Sequence, residues 1–138
     1  MARFLDTNIL MRYFTNDDPV KAQAALALMD RVERGDERVV TTPLVIFEAV
    51  FLLQRSYKLP KDRVREMIGD LLALRHLQLA EKRLCRVALD LYVVKNISYA
   101  DAYNAVWMQE HGVKEVYSWD TEFDRVPALT RLEPAREE

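Results

Sequence analysis

An α/β domain, with a parallel sheet of about five strands between helices, is the fold class this sequence predicts. Three observations carry that expectation: short strand-like runs alternate with longer helical segments, prolines stand where helices open, and no Ser/Gly/Pro-rich linker interrupts the alternation. The chain has 138 residues, the size of one ordinary domain. Such a domain buries about two-thirds of its unfolded surface and needs no metal or disulfide to hold it together. Half of the residues are hydrophobic and 30% are charged, which argues against disorder and low-complexity structure.

The first strand is expected over residues 2–5, where Arg3-Phe4-Leu5 leads to Asp6 and then to the apolar run Ile9-Leu10-Met11 of a first helix. Asp18 caps and Pro19 opens a second helix to Glu33, which Gly35 closes. After a strand at residues 38–41, Thr42 caps and Pro43 opens a helix to about Arg55, and Pro60 opens the next. A third strand falls at residues 77–79. Leu84, Val87, Ala88, Leu91 and Val94 then recur at helical spacing as one apolar stripe, with Lys82, Arg83, Arg86 and Asp90 off it. Ser98-Tyr99-Ala100-Asp101 is a capping-box pattern ahead of a helical run at 102–108. Strands at 115–119 and 129–132 complete a domain assigned to residues 1–132, and residues 133–138 read as a frayed charged tail.

The longest apolar stretch, residues 44–53, contains Glu48 and is half the length of a membrane span, so no membrane association is expected. The first ten residues lack the pattern of a secretory signal, and Cys85 is the single cysteine. Both point to the cytoplasm. Lys and Arg number 20 against 22 Asp and Glu, a balance that excludes an electrostatic grip on bulk nucleic acid. If four acids gather in one site, however, the remaining surface is mildly basic, and nucleic acid stays possible provided a cation sits among them.

Ligands of open α/β sheets bind beyond the carboxyl ends of the strands, which draws attention to Asp6 and Asp120. Each reads as a ligand or as a cap of the segment it opens. Asp101 has the plainest bland explanation, the capping box. Glu48 lies six residues past Thr42, too far in to cap, inside an apolar helix where an uncompensated carboxylate would cost several kcal/mol. A salt bridge to Arg12 or Arg55 would answer that cost. A cation-facing role is preferred, because three further acids stand at strand ends or helix openings and the bland reading needs a separate accident for each. Converging carboxylates raise one another's pKa unless a cation is present, and an all-oxygen set suits Mg²⁺ or Mn²⁺.

His76 and His111 could serve as an acid–base pair in a metal-free ribonuclease, yet both read as structural. Cys85 has no accompanying zinc spacing and reads as core. Lys82, Arg83 and Arg86, or Lys61, Arg63 and Arg65, could touch phosphates or form a solvated face, so no groove for nucleic acid is located. Tyr92, Tyr99, Tyr103 and Trp107 could stack on bases, but their spacing fits packing or a dimer surface better.

Phe4-Leu5-Asp6-Thr7-Asn8-Ile9-Leu10, Glu48 in its apolar helix, Ser98-Tyr99-Ala100-Asp101-Ala102 and Ser118-Trp119-Asp120-Thr121-Glu122-Phe123 together resemble PIN domains. More narrowly, and including the turn Asn16-Asp17-Asp18-Pro19, the chain resembles the VapC-type ribonuclease toxins of toxin–antitoxin pairs, from residue 3 to about 132. The resemblance implies that Asp6, Glu48, Asp101 and Asp120 surround Mg²⁺ or Mn²⁺ with Thr7 or Asn8 hydrogen-bonding among them. It further implies a homodimer, cleavage of RNA to 5′-phosphate and 3′-hydroxyl ends, and inhibition by a cognate antitoxin. Ser118 stands where the family more often has Thr, which keeps the hydroxyl, and Asp124 could share or replace the role of Asp120.

Two readings compete with a metal-dependent endoribonuclease. One is a non-catalytic PIN-like binding module that retains the acids. The other is a phosphoacceptor receiver domain, disfavoured because Asp6 is followed by Thr7 and the central acid is the helical Glu48.

Overall fold

Residues 1–135 are described by the structure, a computed structural model, so the last three residues of the expected tail lie outside the described residues. The chain divides into two compact units, residues 1–82 and residues 83 onward. In the first, strands β1 (Arg3–Phe4), β2 (Val39–Thr41) and β3 (Leu77–Leu79) pair in parallel in the order β1-β2-β3, with Arg3 opposite Val39 and Val39 opposite Leu77. Helices α1 (Thr7–Phe14), α2 (Pro19–Arg34), α3 (Pro43–Arg55) and α4 (Lys61–Leu72) fill the connections. The second unit carries α5 (Lys82–Val94), α6 (Tyr99–Glu110) and the parallel pair β4 (Glu115–Tyr117) and β5 (Thr130–Leu132), with a 3₁₀ turn at Thr121–Arg125 between the strands.

The punctuation expected from the sequence forms as local chemistry dictates. Asp18 Oδ1 accepts from the Lys21 N–H, Thr42 Oγ1 accepts from the Val45 N–H, and a proline occupies the first turn after each cap. Gly35 closes α2 at φ 83°, a left-handed conformation that a side chain would strain, and an added Cβ there would meet the His76 ring at 2.9 Å. His76 is thereby accounted for as packing.

Two expectations need correction. The five strands are parallel, but among the described residues they pair as three and two and do not form one continuous ladder. Each is only two or three residues long, and β1 and β4 are largely exposed. On α5 the buried face is Leu84, Cys85, Ala88, Leu89 and Tyr92, whereas Val87 and Val94 of the expected stripe are exposed. This helix is apolar on more than one face, and the phase that buries the large Tyr92 ring prevails.

The core that positions the first unit includes Leu10, Ile46, Leu53 and Ile68, each with no exposed surface. Truncating any one to Ala would cost about 2–5 kcal/mol. Leu10 matters most for function, because its burial fixes α1, whose N-terminal residues line the cleft described next.

Candidate active site

In the first unit the end of β1 delivers Asp6. The Thr41 hydroxyl, itself buried, donates to the Leu5 carbonyl at 2.9 Å and ties the ends of β1 and β2 together just before it. Asp6 occupies the N-cap position of α1 with extended backbone (φ −88°, ψ 158°), yet its carboxylate makes no capping hydrogen bond. The bland reading of this acid therefore loses its defining contact. Asp6, Thr7, Asn8 and Arg12 line a surface cleft together with Glu48 and Tyr57.

Glu48 departs from expectation. It is exposed, not buried, on the open face of α3. Neither Arg12 nor Arg55 pairs with it among the described residues; the Arg55 guanidinium lies over the Phe51 ring at 5.8 Å. Sequence pattern misjudges its environment because α3 is apolar beyond its buried face, with Leu44, Phe47 and Phe51 also exposed. What holds Glu48 is the nearly buried Thr7 hydroxyl, which donates to Oε1 at 3.3 Å.

In the second unit Asp101, Asp120 and Glu122 each turn a carboxylate oxygen to within 4.8 Å of the others. Ser98 caps α6 by accepting from the Asp101 N–H at 3.1 Å. A capping box would have the Asp101 carboxylate return to the Ser98 N–H, but Glu122 Oε1 fills that position at 2.9 Å. Asp101 is thus freed from capping. Asp120 does cap, accepting from the Glu122 N–H at 2.9 Å through Oδ1, while its own N–H donates to Ser118 Oγ. Asp124, the alternative to Asp120, is drawn away by Arg131 at 3.0 Å; Arg131 also donates to the Ser118 carbonyl and so anchors the turn after β4.

The PIN domain family matches residues 3–129 of the chain. The chain belongs to the PIN domain family. A relative named VapC ribonuclease, from Aquifex aeolicus (strain VF5), is 23% identical over 124 residues, spanning 90% of this chain and 91% of the relative. The crystal structure of Mycobacterium tuberculosis VapC20, described as a Sarcin-Ricin loop cleaving toxin, is 18% identical, with a TM-score of 0.38 over 96% of this chain and all of that one.

The donor set of this PIN domain fits a hard divalent cation. Asp101 Oδ2 is buried without a hydrogen-bond partner and faces two further carboxylates, an arrangement that a proton or a cation must neutralise. Burial, followed by the adjoining Asp120 and Glu122 carboxylates, pushes Asp101 up to about 7. Asp120 is held below the usual carboxylate range, chiefly by the Glu122 N–H and then by Asp101, with Arg125 and Arg131 adding to the effect. One acid therefore keeps its proton while its neighbour gives it up.

Glu122 is the functional candidate that sequence reasoning misses, although its position two residues beyond Asp120 in a tight turn is a usable signal. Other candidates resolve into structure. Tyr92 and Tyr99 are buried and meet edge to face at 6.1 Å, and Cys85 is buried. His111 Nδ1 donates to the Trp107 carbonyl at 2.8 Å, and its ring stacks on the Trp107 ring. Lys82 donates to the carbonyls of Leu74 and Leu77, Arg83 pairs with Glu110, and Arg63 pairs with Glu66.

Proposed function

We propose that this PIN domain is a metal-dependent endoribonuclease and the toxin of a toxin–antitoxin pair. The observation that carries the chemistry is the unpartnered, buried Oδ2 of Asp101 beside Asp120 and Glu122. Asp101, Asp120 and Glu122 would hold Mg²⁺ or Mn²⁺, and Asp6 and Glu48 would serve the same reaction. The cation, when bound, supplies charge stabilisation at phosphorus and acidifies water. Asp6, whose carboxylate is not spent on capping, is available to take a proton from the attacking water. Thr7 Oγ1 fixes the orientation of Glu48, and Asn8 at the mouth of the same cleft offers an amide to the substrate.

The ribonuclease and toxin assignments draw support from the relative named VapC ribonuclease and from the order of the four motifs along the chain. A cognate antitoxin partner belongs to the same reading. A homodimer is proposed as well, on the exposed Leu44, Phe47 and Phe51 of α3. No helix of the described residues is long and apolar enough to cross a membrane. Cytoplasmic location is proposed from the lone, buried Cys85.

The test is cleavage of a loop-containing RNA by purified protein with Mn²⁺ or Mg²⁺. Loss of cleavage in EDTA and 5′-phosphate product ends are expected. Persistent cleavage in excess EDTA, or cyclic-phosphate ends, would overturn the metal mechanism, and RNA bound but never cut would favour the binding-module reading.

A further inference from the structure

A second groove lies between α1 and α2 and adjoins the acidic cleft: Asn8 and Arg12 line both. Beyond them its wall is the α2 face that carries Lys21, Ala24, Leu28 and Arg31. Arg31 is engaged by Glu37 at 3.3 Å. Arg12 and Lys21, by contrast, have no carboxylate partner among the described residues, and Lys21 is exposed. Most basic residues singled out from the sequence are already committed, Arg83 to Glu110, Arg63 to Glu66 and Lys82 to main-chain carbonyls. What sets Arg12 and Lys21 apart from other cations is their place, Arg12 lining both the acidic cleft and the groove and Lys21 lining the groove.

We propose that Arg12 and Lys21 form a track for the phosphates of single-stranded RNA, leading from the cleft of Asp6 and Glu48 along the α1–α2 groove. The proposal rests on the ribonuclease reading and adds where the substrate lies. A polyanion can approach a carboxylate-lined cleft only if cations beside it offset the repulsion, and Arg12 stands at that junction. Arg12 suits bidentate contact with a phosphate, and Lys21 adds a point charge from the first turn of α2. The groove carries no specificity for bases. It fixes which way the strand enters.

The test measures binding of a fluorescein-labelled single-stranded RNA by anisotropy in EDTA, where no metal-supported cleavage occurs, across a salt series, for wild type, Arg12→Gln, Lys21→Gln and the control Arg63→Gln. Each groove variant should weaken binding several-fold and lower the magnitude of the salt slope by about 0.7, while the control leaves both unchanged. In metal-supported cleavage the Lys21→Gln change should raise KM with little effect on kcat. Melting curves confirm that the variants are folded. Wild-type slopes in both groove variants, or no RNA binding by wild type, would overturn the track. Cleavage by wild type with an unchanged KM in Lys21→Gln would overturn the track while sparing the ribonuclease reading. Lost binding of a poly-glutamate peptide with RNA binding unaffected would assign the groove to an acidic protein segment instead.

Discussion

Asp6 and Glu48 stand in an open cleft, one with no capping bond to make and the other steadied by the Thr7 hydroxyl, whereas Asp101, Asp120 and Glu122 bring oxygens within 4.8 Å of one another. Both units carry acids at the ends of their elements, but among the described residues only the second crowds three of them and buries one oxygen without a partner. The contrast shows what determines the energy of an acid cluster. The same residue types are tolerated at little cost when spread over exposed surface, and they store repulsion when packed together. The proposed cation is therefore assigned to the second unit, where the repulsion it would relieve is greatest.

The largest expected effect comes from breaking that crowding. Asp101→Asn should lower RNA cleavage by about 100-fold or more, the order of effect seen when a charge-stabilising group is removed, while leaving the melting temperature in EDTA unchanged or raised. Asp6→Asn should also abolish cleavage, but with no change in melting, because no repulsion is relieved in the open cleft. A fall in melting for Asp101→Asn would mean that its carboxylate supports the fold rather than a ligand.

The next effect is on pH dependence. The Asp101 pKa is raised to about 7 in the folded state, so the native protein binds a proton more tightly than the unfolded chain. Stability without metal should therefore fall as pH rises from about 4 to about 7 and level off above that. Asp120, shifted downward, adds stability that is lost only as pH falls below the ordinary carboxylate range. Calorimetric melts in EDTA from pH 4 to 8 should show the decline in wild type and a flatter profile in Asp101→Asn. An identical slope in the two proteins would show that the crowding is not felt at Asp101.

Smaller effects separate positioning from charge. Ser98→Ala removes the cap of α6 and should cost about 1 kcal/mol of stability, read from denaturant melts. Glu122 keeps its main-chain partner at residue 98, but the opening turn of α6 that carries Asp101 loses its cap, so the metal concentration needed for cleavage should rise. Thr7→Val should reduce cleavage only a few-fold and change stability by about 1 kcal/mol or less, since its 3.3 Å bond orients Glu48 without neutralising anything. A larger loss in Thr7→Val than in Ser98→Ala would reverse the ranking of the two regions.

Much of this architecture is legible in the amino-acid sequence. Prolines and caps mark α2 and α3 because Asp18, Thr42, Pro19 and Pro43 act locally, through bonds made within one turn. The strand alternation is legible for the same reason, although the pairing into three and two is not, because two- and three-residue strands carry little register information. Glu48 reads as buried yet is exposed: an apolar helix does not disclose which of its faces meets water. Glu122 escapes notice because its role depends on reaching the Ser98 N–H, 24 residues away in sequence, a contact that no spacing encodes. Arg12 reads from sequence only as a partner for Glu48, and among the described residues it pairs with no carboxylate, which no spacing encodes.

The most direct test of the central claim, that Asp101, Asp120 and Glu122 are a cation site, is calorimetric titration of Mn²⁺ at pH 7 in buffers of different ionisation enthalpy. Wild type should bind Mn²⁺ and release protons as it does so, because Asp101 still carries part of its proton near that pH and must shed it to become a ligand. Asp101→Asn should lose both the affinity and the proton release, while Asp124→Asn, whose carboxylate is held by Arg131, should behave as wild type. Equal Mn²⁺ affinity and equal proton release in wild type and Asp101→Asn would contradict the account.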